Sequence, residues 1–319
     1  MTDNYDLKYY KDVESKNVDW LWYPYIPFGK ITIVQGDPGE GKTTVILNLI
    51  SLLSNGKPLP FTDKARLITS IYQNAEDDNS DTIKPRLENH KANCGKVCFI
   101  EKASGLLYMD DDSIEKAIVE SDAKLLVLDP IQAYIGDNID MNRANSIRPK
   151  MNKLKETAEK TGCAIVLIGH MNKNARGRAN YRGLGSIDIS AAARSVLVVG
   201  KMDKDSEVKV FAQLKNNLAP KGKSLSFVIK NGSVEWLGEC EISADEVSAG
   251  GVADSSCKIY LAEDFLIERL SEGAVSSNQL YEDAEQMGIS KRTLKRAKAT
   301  LPISSIKRNG SWYWIMNEE

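Results

Sequence analysis

A glycine-rich segment that contains a lysine stands between an apolar run, GKITIVQ, and the helix-like stretch VILNLISLLS. Glycines there let backbone N–H groups wrap a phosphate, and the N-terminus of the following helix adds its dipole. Lys42 would neutralise the β- and γ-phosphates of ATP, and Thr43 would hold Mg²⁺. The segment therefore predicts an ATP site, a P-loop. Its predicted nucleotide-binding residues are Gly36, Asp37, Pro38, Gly39, Glu40, Gly41, Lys42, Thr43 and Thr44.

Two acidic positions could complete the chemistry. The apolar run Lys124–Asp129 ends in Asp129, where a carboxylate is expected to orient Mg²⁺. Pro130 follows it, whereas AAA+ and ABC-type ATPases carry a water-activating Glu at that place, so the catalytic base must come from elsewhere. Glu76 follows the run LITSIYQN, at the edge of the sheet where ligands of α/β folds bind, and is predicted to be this base. Its neighbours Asp77 and Asp78 are alternatives.

A histidine and a basic stretch follow the next apolar run. His170 ends AIVLIG and is predicted to sense the γ-phosphate, although a lone histidine often has a structural role instead. Residues 171–186 combine glycine and asparagine with cations and contain no acidic residue, which is typical of a mobile basic loop. We expect Lys173, Arg176 and Arg178 to contact DNA phosphates; a solvated loop is the alternative.

The elements that position these residues follow from the apolar pattern. Up to about residue 238, continuous apolar runs alternate with helical stretches at about 42–55, 112–121 and 142–161. This predicts an α/β fold with a mostly parallel sheet, extended by shorter antiparallel strands. A type I′ hairpin turn is expected at Asn231-Gly232. The predicted parallel strands are Ile31–Gln35, Leu67–Gln73, Lys124–Asp129, Ala164–Gly169 and Ser195–Gly200, and the later strands are Val208–Leu214, Ser224–Lys230 and Ser233–Leu237.

The bulk composition sets limits on the function. The 319 residues carry a formal net charge of −2, so any nucleic-acid surface must be local. The charged N-terminus lacks the apolar run expected of a signal peptide, no run is apolar enough to predict a membrane span, and the five cysteines contain no CxxC pair. We therefore expect a cytoplasmic protein that does not contact membranes, with reduced thiols.

A separate C-terminal unit is predicted. The acidic, small-residue stretch 239–256 resembles a linker, so the predicted domains are 1–238 and 257–319. In the second domain, three helices at about 259–271, 277–287 and 291–301 precede a hairpin around Asn309-Gly310, the order of a winged helix. Its last helix and hairpin predict a DNA-binding face, with a protein-binding domain as the alternative. The predicted contacts are Lys291, Arg292, Lys295, Arg296, Lys307 and Arg308.

The ordered series of motifs resembles the RecA-like fold, and in particular the RepA-type hexameric replicative helicases (AAA_25-like) of plasmids and phages. The resemblance covers about residues 18–238. Its carriers are WLWYPYIPFGKITIVQGDPGEGKTT, IYQNAEDD, LLVLDPIQAYIG, VLIGHMNK, GLGSIDISAAARSVLVV and QLKNNLAPKGKSLSFVI.

The resemblance implies an assembly. In that family each ATP site lies between two subunits and is completed by a basic residue of the neighbour, for which Arg182, Arg194 and Lys215 are candidates. It also implies a homo-oligomeric ring, commonly a hexamer, that moves along single-stranded DNA. A primase or initiator is a possible partner, and the winged helix would recruit it or duplex DNA.

Three hypotheses remain open from the sequence. The first is a replicative helicase or helicase-like ATPase of a phage, plasmid or other mobile element. The second is a recombination ATPase of the RecA/RadA type, and the third is an ATP-gated winged-helix regulator. A small-molecule kinase is disfavoured because no lid follows the core.

Overall fold

The fold is taken from a computed structural model, which describes residues 7–103, 105–136, 144–170, 187–203, 206–249, 255–271, 273–287, 289–308 and 310–317. Its N-terminal strands are β1 (Trp20–Trp22), β2 (Ile26–Pro27), β3 (Ile31–Gly36), β4 (Thr69–Asn74), β5 (Val97–Cys98), β6 (Ala123–Asp129) and β7 (Ala164–His170). The later core strands are β8 (Ser195–Lys201), β9 (Lys209–Asn216), β10 (Ser224–Lys230) and β11 (Ser233–Cys240). The core helices are α1 (Lys42–Ser54), α2 (Lys84–Asn89), α3 (Asp112–Ser121), α4 (Ala144–Thr161), α5 (Ile187–Ala192) and α6 (Ala244–Ser248).

One nine-stranded sheet organises the core, in the order β11-β10-β9-β8-β3-β7-β6-β4-β5. From β8 to β5 neighbouring strands pair parallel, and β9, β10 and β11 extend the sheet antiparallel. The predicted α/β class with a mostly parallel sheet is thus confirmed. The hairpin between β10 and β11 turns through Asn231 and Gly232, whose φ values of 52° and 75° fit the expected type I′ turn.

Both faces of the sheet are buried, which explains the continuous apolar runs. On β6, Leu126 and Leu128 belong to the core on one face, while Leu125 and Val127 belong to the core on the other. Successive side chains of a strand point to opposite faces, so a strand covered on both sides has no polar alternation. The apolar residue Leu67 is 63% exposed because it precedes β4, which begins two residues later than predicted.

The C-terminal unit contains the predicted helices and hairpin. Its elements are α7 (Ser255–Leu270), β12 (Val275–Ser276), α8 (Ser277–Gln286), α9 (Lys291–Thr300), β13 (Ile303–Arg308) and β14 (Ser311–Met316). The strands form a separate sheet in the order β12-β14-β13. Phe265, Leu280, Leu294 and Trp314 belong to its own apolar core, so this unit is not an extension of the large sheet. Trp312, in contrast, is 52% exposed.

The predicted linker is shorter in the structure. Within 239–256, β11 continues to Cys240 and α6 follows it, so the acidic composition did not mark an unstructured segment. Ser243 and Glu246 cap α6 reciprocally, a capping box that the sequence ISADE permits. Val247 is buried and packs against Gly200 of β8. Among the described helices, none is both long and apolar enough to cross a membrane.

Candidate nucleotide-binding and catalytic site

The candidate site lies where the parallel strands end. Gly36 at the end of β3 pairs with His170 at the end of β7, and Asn74 at the end of β4 pairs with Asp129 at the end of β6. The glycine-rich loop leaves β3 at this edge, and Glu76 follows β4 by two residues. Four strands that are distant in sequence therefore deliver the predicted groups to one edge of the sheet.

Backbone geometry explains two glycines of the loop. A Cβ on Gly36 would stand 2.1 Å from the carbonyl oxygen of Val199 on the neighbouring strand β8, so no side chain fits at this position. Gly41 has φ of 87°, in the left-handed region, and immediately precedes α1. A helix N-terminus with glycine before it leaves the backbone N–H groups of the loop accessible to an anion.

Lys42 lies inside the loop. Its ammonium donates hydrogen bonds to the carbonyl oxygens of Gly36 (2.9 Å) and Asp37 (2.8 Å), and its side chain is 5% exposed. Burial lowers the pKa of Lys42, and the nearby carboxylates, Asp129 first among them, act in the opposite direction. A desolvated cation at this place is well suited to bind phosphate oxygens, because water does not screen it.

Asp129 accepts two hydrogen bonds on one carboxylate oxygen. The Thr43 hydroxyl donates to Oδ2 at 2.7 Å, and the Tyr72 hydroxyl donates to the same atom at 2.8 Å. Asp129 is 5% exposed, and burial raises its pKa although both hydroxyls counteract this. Mg²⁺ prefers oxygen ligands, and a divalent cation would offset the cost of a buried carboxylate, so Thr43 and Asp129 fit the metal predicted for them.

Glu76 and His170 stand next to Lys42. The His170 Nδ1 atom lies 3.4 Å from the Lys42 Nζ atom, and its Nε2 atom lies 3.7 Å from the Glu76 Oε1 atom. The imidazole thus lies between the lysine and the carboxylate. The Glu76 side chain is 59% exposed, so water reaches it. Asn74 supports this loop, since its Oδ1 atom accepts from the backbone N–H of Glu76 at 3.3 Å.

The two neighbouring aspartates have other partners. Asp77 accepts a hydrogen bond from Arg86 at 2.7 Å, which ties the loop to α2. Asp78 accepts from the backbone N–H groups of Ser80 and Asp81 and so caps the short helical turn that leads into α2. These contacts favour Glu76 among the three adjacent carboxylates.

Two of the three candidates for a basic residue offered to a neighbouring subunit lie at the opposite edge of the sheet. Arg194 precedes β8, and Lys215 pairs with Val196 near the start of β8. Lys215 donates to the carbonyl oxygens of Ser190 (2.8 Å) and Ala193 (2.9 Å), and burial lowers its pKa. Lys173, Arg176, Arg178 and Arg182 lie outside the described residues.

The C-terminal cations predicted to contact DNA are all exposed. In α9, Leu294 and Ala297 are buried, while Lys291, Arg292, Lys295 and Arg296 are exposed. Lys307 and Arg308 at the end of β13 are also exposed.

Two tyrosines of the site were not predicted. Tyr72 lies in the buried strand β4, and its hydroxyl finds Asp129 as a partner, as a buried tyrosine requires. Tyr134 is 3% exposed, its hydroxyl has no hydrogen-bond partner among the described residues, and the charge of Asp129 contributes to its raised pKa. In the sequence, a tyrosine within an otherwise apolar buried run was the signal that could have indicated such a polar contact.

Neutralising Asp129 should stabilise the metal-free protein. The pKa of Asp129 is raised from 3.8 in the folded state, so stability falls as pH rises from about that value through the raised pKa. Asp129→Asn does not undergo this loss. We expect the free energy of unfolding at pH 7, measured by urea denaturation with EDTA, to rise by about 1 kcal/mol, and the gain to shrink at pH 4.

Asp122→Asn is the control, because Asp122 is exposed and hydrogen bonding to Lys124 lowers its pKa. It should give no stabilisation at either pH. Equal stability of Asp129→Asn and the unmodified protein at both pH values would contradict a destabilising charge at Asp129.

Comparisons with known proteins identify the family of the chain. A family model described as an AAA domain (AAA_25) matches residues 8–176, just over half of the 319 residues. Protein RecA of Mannheimia haemolytica is 22% identical over 218 residues, which cover 65% of this chain and 57% of RecA. DNA repair protein RadA of Halalkalibacterium halodurans is 28% identical over 148 residues, which cover 46% of this chain and 28% of RadA.

The chain thus spans 57% or less of the length of these two curated relatives. Among solved structures, a KaiC-like protein from Pyrococcus horikoshii OT3 aligns with a TM-score of 0.48 and 19% identity, covering 66% of this chain and 90% of that chain. With the family model matched over more than half of its length and the P-loop assembled at the strand ends, the chain belongs to the AAA_25 family as a RecA-like P-loop ATPase.

Proposed function

We propose that this protein is an ATP-driven motor that acts on DNA, as a replicative helicase or helicase-like ATPase of a phage, plasmid or other mobile element. The observation that carries the proposal is the position of Glu76. Its carboxylate, in the loop after β4, approaches His170 and through it Lys42, whereas Asp129 is followed by Pro130. This arrangement of the base favours the RecA-like motors over ATPases that carry a Glu directly after the aspartate.

Each residue of the site has a separate role in ATP hydrolysis. Lys42 neutralises charge on the β- and γ-phosphates, and Thr43 and Asp129 hold Mg²⁺, which supplies further charge neutralisation when bound. Glu76 accepts a proton from the attacking water, whose oxygen bonds to the γ-phosphorus as the bond to the bridging oxygen breaks. His170 contacts both Lys42 and Glu76, so it is placed to respond to loss of the γ-phosphate.

The site is completed by a neighbouring subunit in this proposal. Arg194 and Lys215 lie at the edge of the sheet opposite the P-loop, so they cannot reach the ATP site of their own chain. A head-to-tail contact between two copies would bring that edge towards the neighbour's ATP site, and a closed series of such contacts is a ring. Arg182, Arg194 and Lys215 are the candidate fingers, and a hexamer is the proposed assembly.

DNA is the proposed track. Exposed cations lie along one side of α9, and two more lie at the end of β13, although the whole chain carries a net charge of −2. The element order fits a winged helix, in which α9 would be the recognition helix and the β13–β14 hairpin the wing. Lys173, Arg176 and Arg178 would line the ring channel for single-stranded DNA. A primase or initiator is a further proposed partner of the C-terminal unit.

A recombination ATPase is the second candidate, and the similarity to RecA and RadA favours it. Such a protein would assemble as a filament on DNA and exchange strands without processive unwinding. An ATP-gated regulator is the third, and would bind duplex DNA in a sequence-specific manner as a monomer or dimer.

The motor hypothesis predicts assembly and stimulation together. With ATP and Mg²⁺, light scattering should give a mass near six chains, and single-stranded DNA should raise the ATPase rate at least about fivefold. A forked duplex should then be unwound. A filament that exchanges strands would favour the recombination reading, and a monomer or dimer with unstimulated turnover would exclude both.

Glu76→Gln should separate binding from hydrolysis. The amide keeps the size of the side chain but cannot accept the proton from water, so the turnover number should fall at least about 100-fold, within the range typical of general bases. The dissociation constant for ATP, measured by calorimetry, should stay within threefold. Asp78→Asn is the matched control, since asparagine also caps the helical turn; it should hydrolyse ATP normally. Near-normal turnover in Glu76→Gln would show that the base is another group.

The basic side of α9 should set the salt dependence of duplex binding. In Lys295→Gln/Arg296→Gln, the slope of log affinity against log salt should decrease by about 2, because each lost phosphate contact removes about one released counterion. Fluorescence anisotropy on a labelled duplex measures it. Lys57→Gln/Lys64→Gln, two exposed lysines of the core, is the control. An unchanged slope in the α9 variant would favour a protein-binding role for this unit.

A further inference from the structure

A second lysine, Lys209, contacts the P-loop. Lys209 donates hydrogen bonds from Nζ to the carbonyl oxygen of Gly39 at 3.3 Å and to the Glu40 carboxylate at 3.0 Å. Lys209 is 9% exposed, and the side chains of the pair are 11% and 18% exposed. A lysine is almost never buried to this extent unless it is paired. This contact is therefore a specific feature of the loop rather than a surface ion pair.

The sheet topology places Lys209 there. β9 runs antiparallel to β8, and Lys209 pairs with Lys201 at the end of β8. Since β8 is parallel to β3, the first residue of β9 lies at the edge where β3 delivers the P-loop. Ile229 of β10 reaches the same loop, because a Cβ on Gly41 would stand 2.5 Å from its Cδ1 atom. The antiparallel extension thus supports the apex of the loop at two neighbouring points.

The hydrogen bond to Gly39 fixes the direction of one N–H group. The carbonyl of Gly39 and the N–H of Glu40 belong to the same planar trans peptide, so they point in opposite directions. With this carbonyl bound to Lys209, the Glu40 N–H points away from Lys209. It donates a hydrogen bond to the carbonyl oxygen of Asp37 at 3.3 Å, and that oxygen also accepts from Lys42. A phosphate oxygen bound in the loop would replace the Asp37 carbonyl as the acceptor of this N–H.

The Lys209–Glu40 ion pair also reduces the repulsion between the loop and a bound phosphate. Glu40 places a carboxylate within a loop that must bind a polyphosphate. The negative charges of the carboxylate and the phosphates repel each other, most strongly where water is excluded. Lys209 neutralises the Glu40 carboxylate. The Lys209–Glu40 pair is more buried than the pair formed by Lys223, just before β10, and Glu241, just after β11, whose side chains are 56% and 78% exposed.

We propose that Lys209 is a positioning residue of the nucleotide site, which orients the Gly39–Glu40 peptide towards the phosphates and cancels the charge of Glu40. Lys209 acts through the loop and does not touch the reacting atoms. The proposal rests on nucleotide binding by this P-loop and is independent of the motor role on DNA. It predicts that loss of Lys209 weakens nucleotide affinity, and that removing the Glu40 charge partly restores it.

The test is a double-mutant cycle measured with ADP, Mg²⁺ and no DNA, so that neither hydrolysis nor assembly on DNA enters. Isothermal titration calorimetry should give Lys209→Met a dissociation constant at least about tenfold above that of the unmodified protein. Lys209→Met/Glu40→Gln should bind at least threefold more tightly than Lys209→Met, because the unpaired carboxylate is gone. At saturating ATP, the turnover number of Lys209→Met should stay within about threefold. Lys223→Met is the matched control and should bind ADP normally.

Two results would overturn the proposal. One is an ADP affinity of Lys209→Met within twofold of the unmodified protein, and the other is an affinity of the double variant equal to that of Lys209→Met. Rescue by Glu40→Gln separates positioning from a structural role, since the second change adds no packing. Lys209→Gln, which keeps a donor for Gly39, replaces Lys209→Met if circular dichroism shows that the latter is unfolded. Failure of the unmodified protein to bind ADP would instead refute the ATP site itself.

Discussion

The hydrogen bond from Thr43 to Asp129 is the contact on which the arrangement of the site depends. It joins the first turn of α1 to the end of β6 and so fixes the P-loop relative to the neighbouring strands. The same carboxylate oxygen accepts the Tyr72 hydroxyl, which brings in β4, the strand that carries Glu76. One buried oxygen atom thus sets the distance between the phosphate-binding loop and the candidate base. The raised pKa of Asp129 shows that the fold tolerates an unfavourable charge at this place.

The order of the strands in the sheet explains why a few contacts are enough to position the residues of the site. Because β3 stands between β8 and β7, the loop after β3 has a strand end on each side, and His170 and the end of β8 flank it. β6 and β4 follow in order, so Asp129 and Glu76 stand at increasing distance from β3 along the same edge. The site is therefore a row of strand ends in which each group has a rigid strand behind it. Catalytic groups held in this way need little reorganisation.

The sequence was most informative where a residue's role is local. The P-loop, the strand ending in Asp129 and the Asn231-Gly232 turn follow from backbone requirements of adjacent residues, and the structure contains these elements within one or two residues of the predicted bounds. Contacts between distant segments could not be predicted. Lys209 is separated from Glu40 by 169 positions, and a lysine that opens an apolar strand gives no sign of its partner. The span predicted as a linker contains α6 for a related reason, since small and acidic residues also suit a capped helix that buries one valine.

The antiparallel extension has a second consequence for the ATP site. β10 and β11 meet in the Asn231-Gly232 turn, and the carbonyl oxygen of Asn231 accepts a hydrogen bond from Asn89 of α2 at 2.9 Å. α2 also carries Arg86, the partner of Asp77 next to the candidate base. The extension therefore contacts the P-loop through Lys209 and Ile229 and the Glu76 loop through α2. A displacement of β9 and β10 relative to the parallel strands would change the phosphate-binding loop and the base together, because both are held from the same side. A force transmitted to this end of the sheet would therefore act on both halves of the candidate site, in addition to the link that Asp129 makes between α1, β6 and β4.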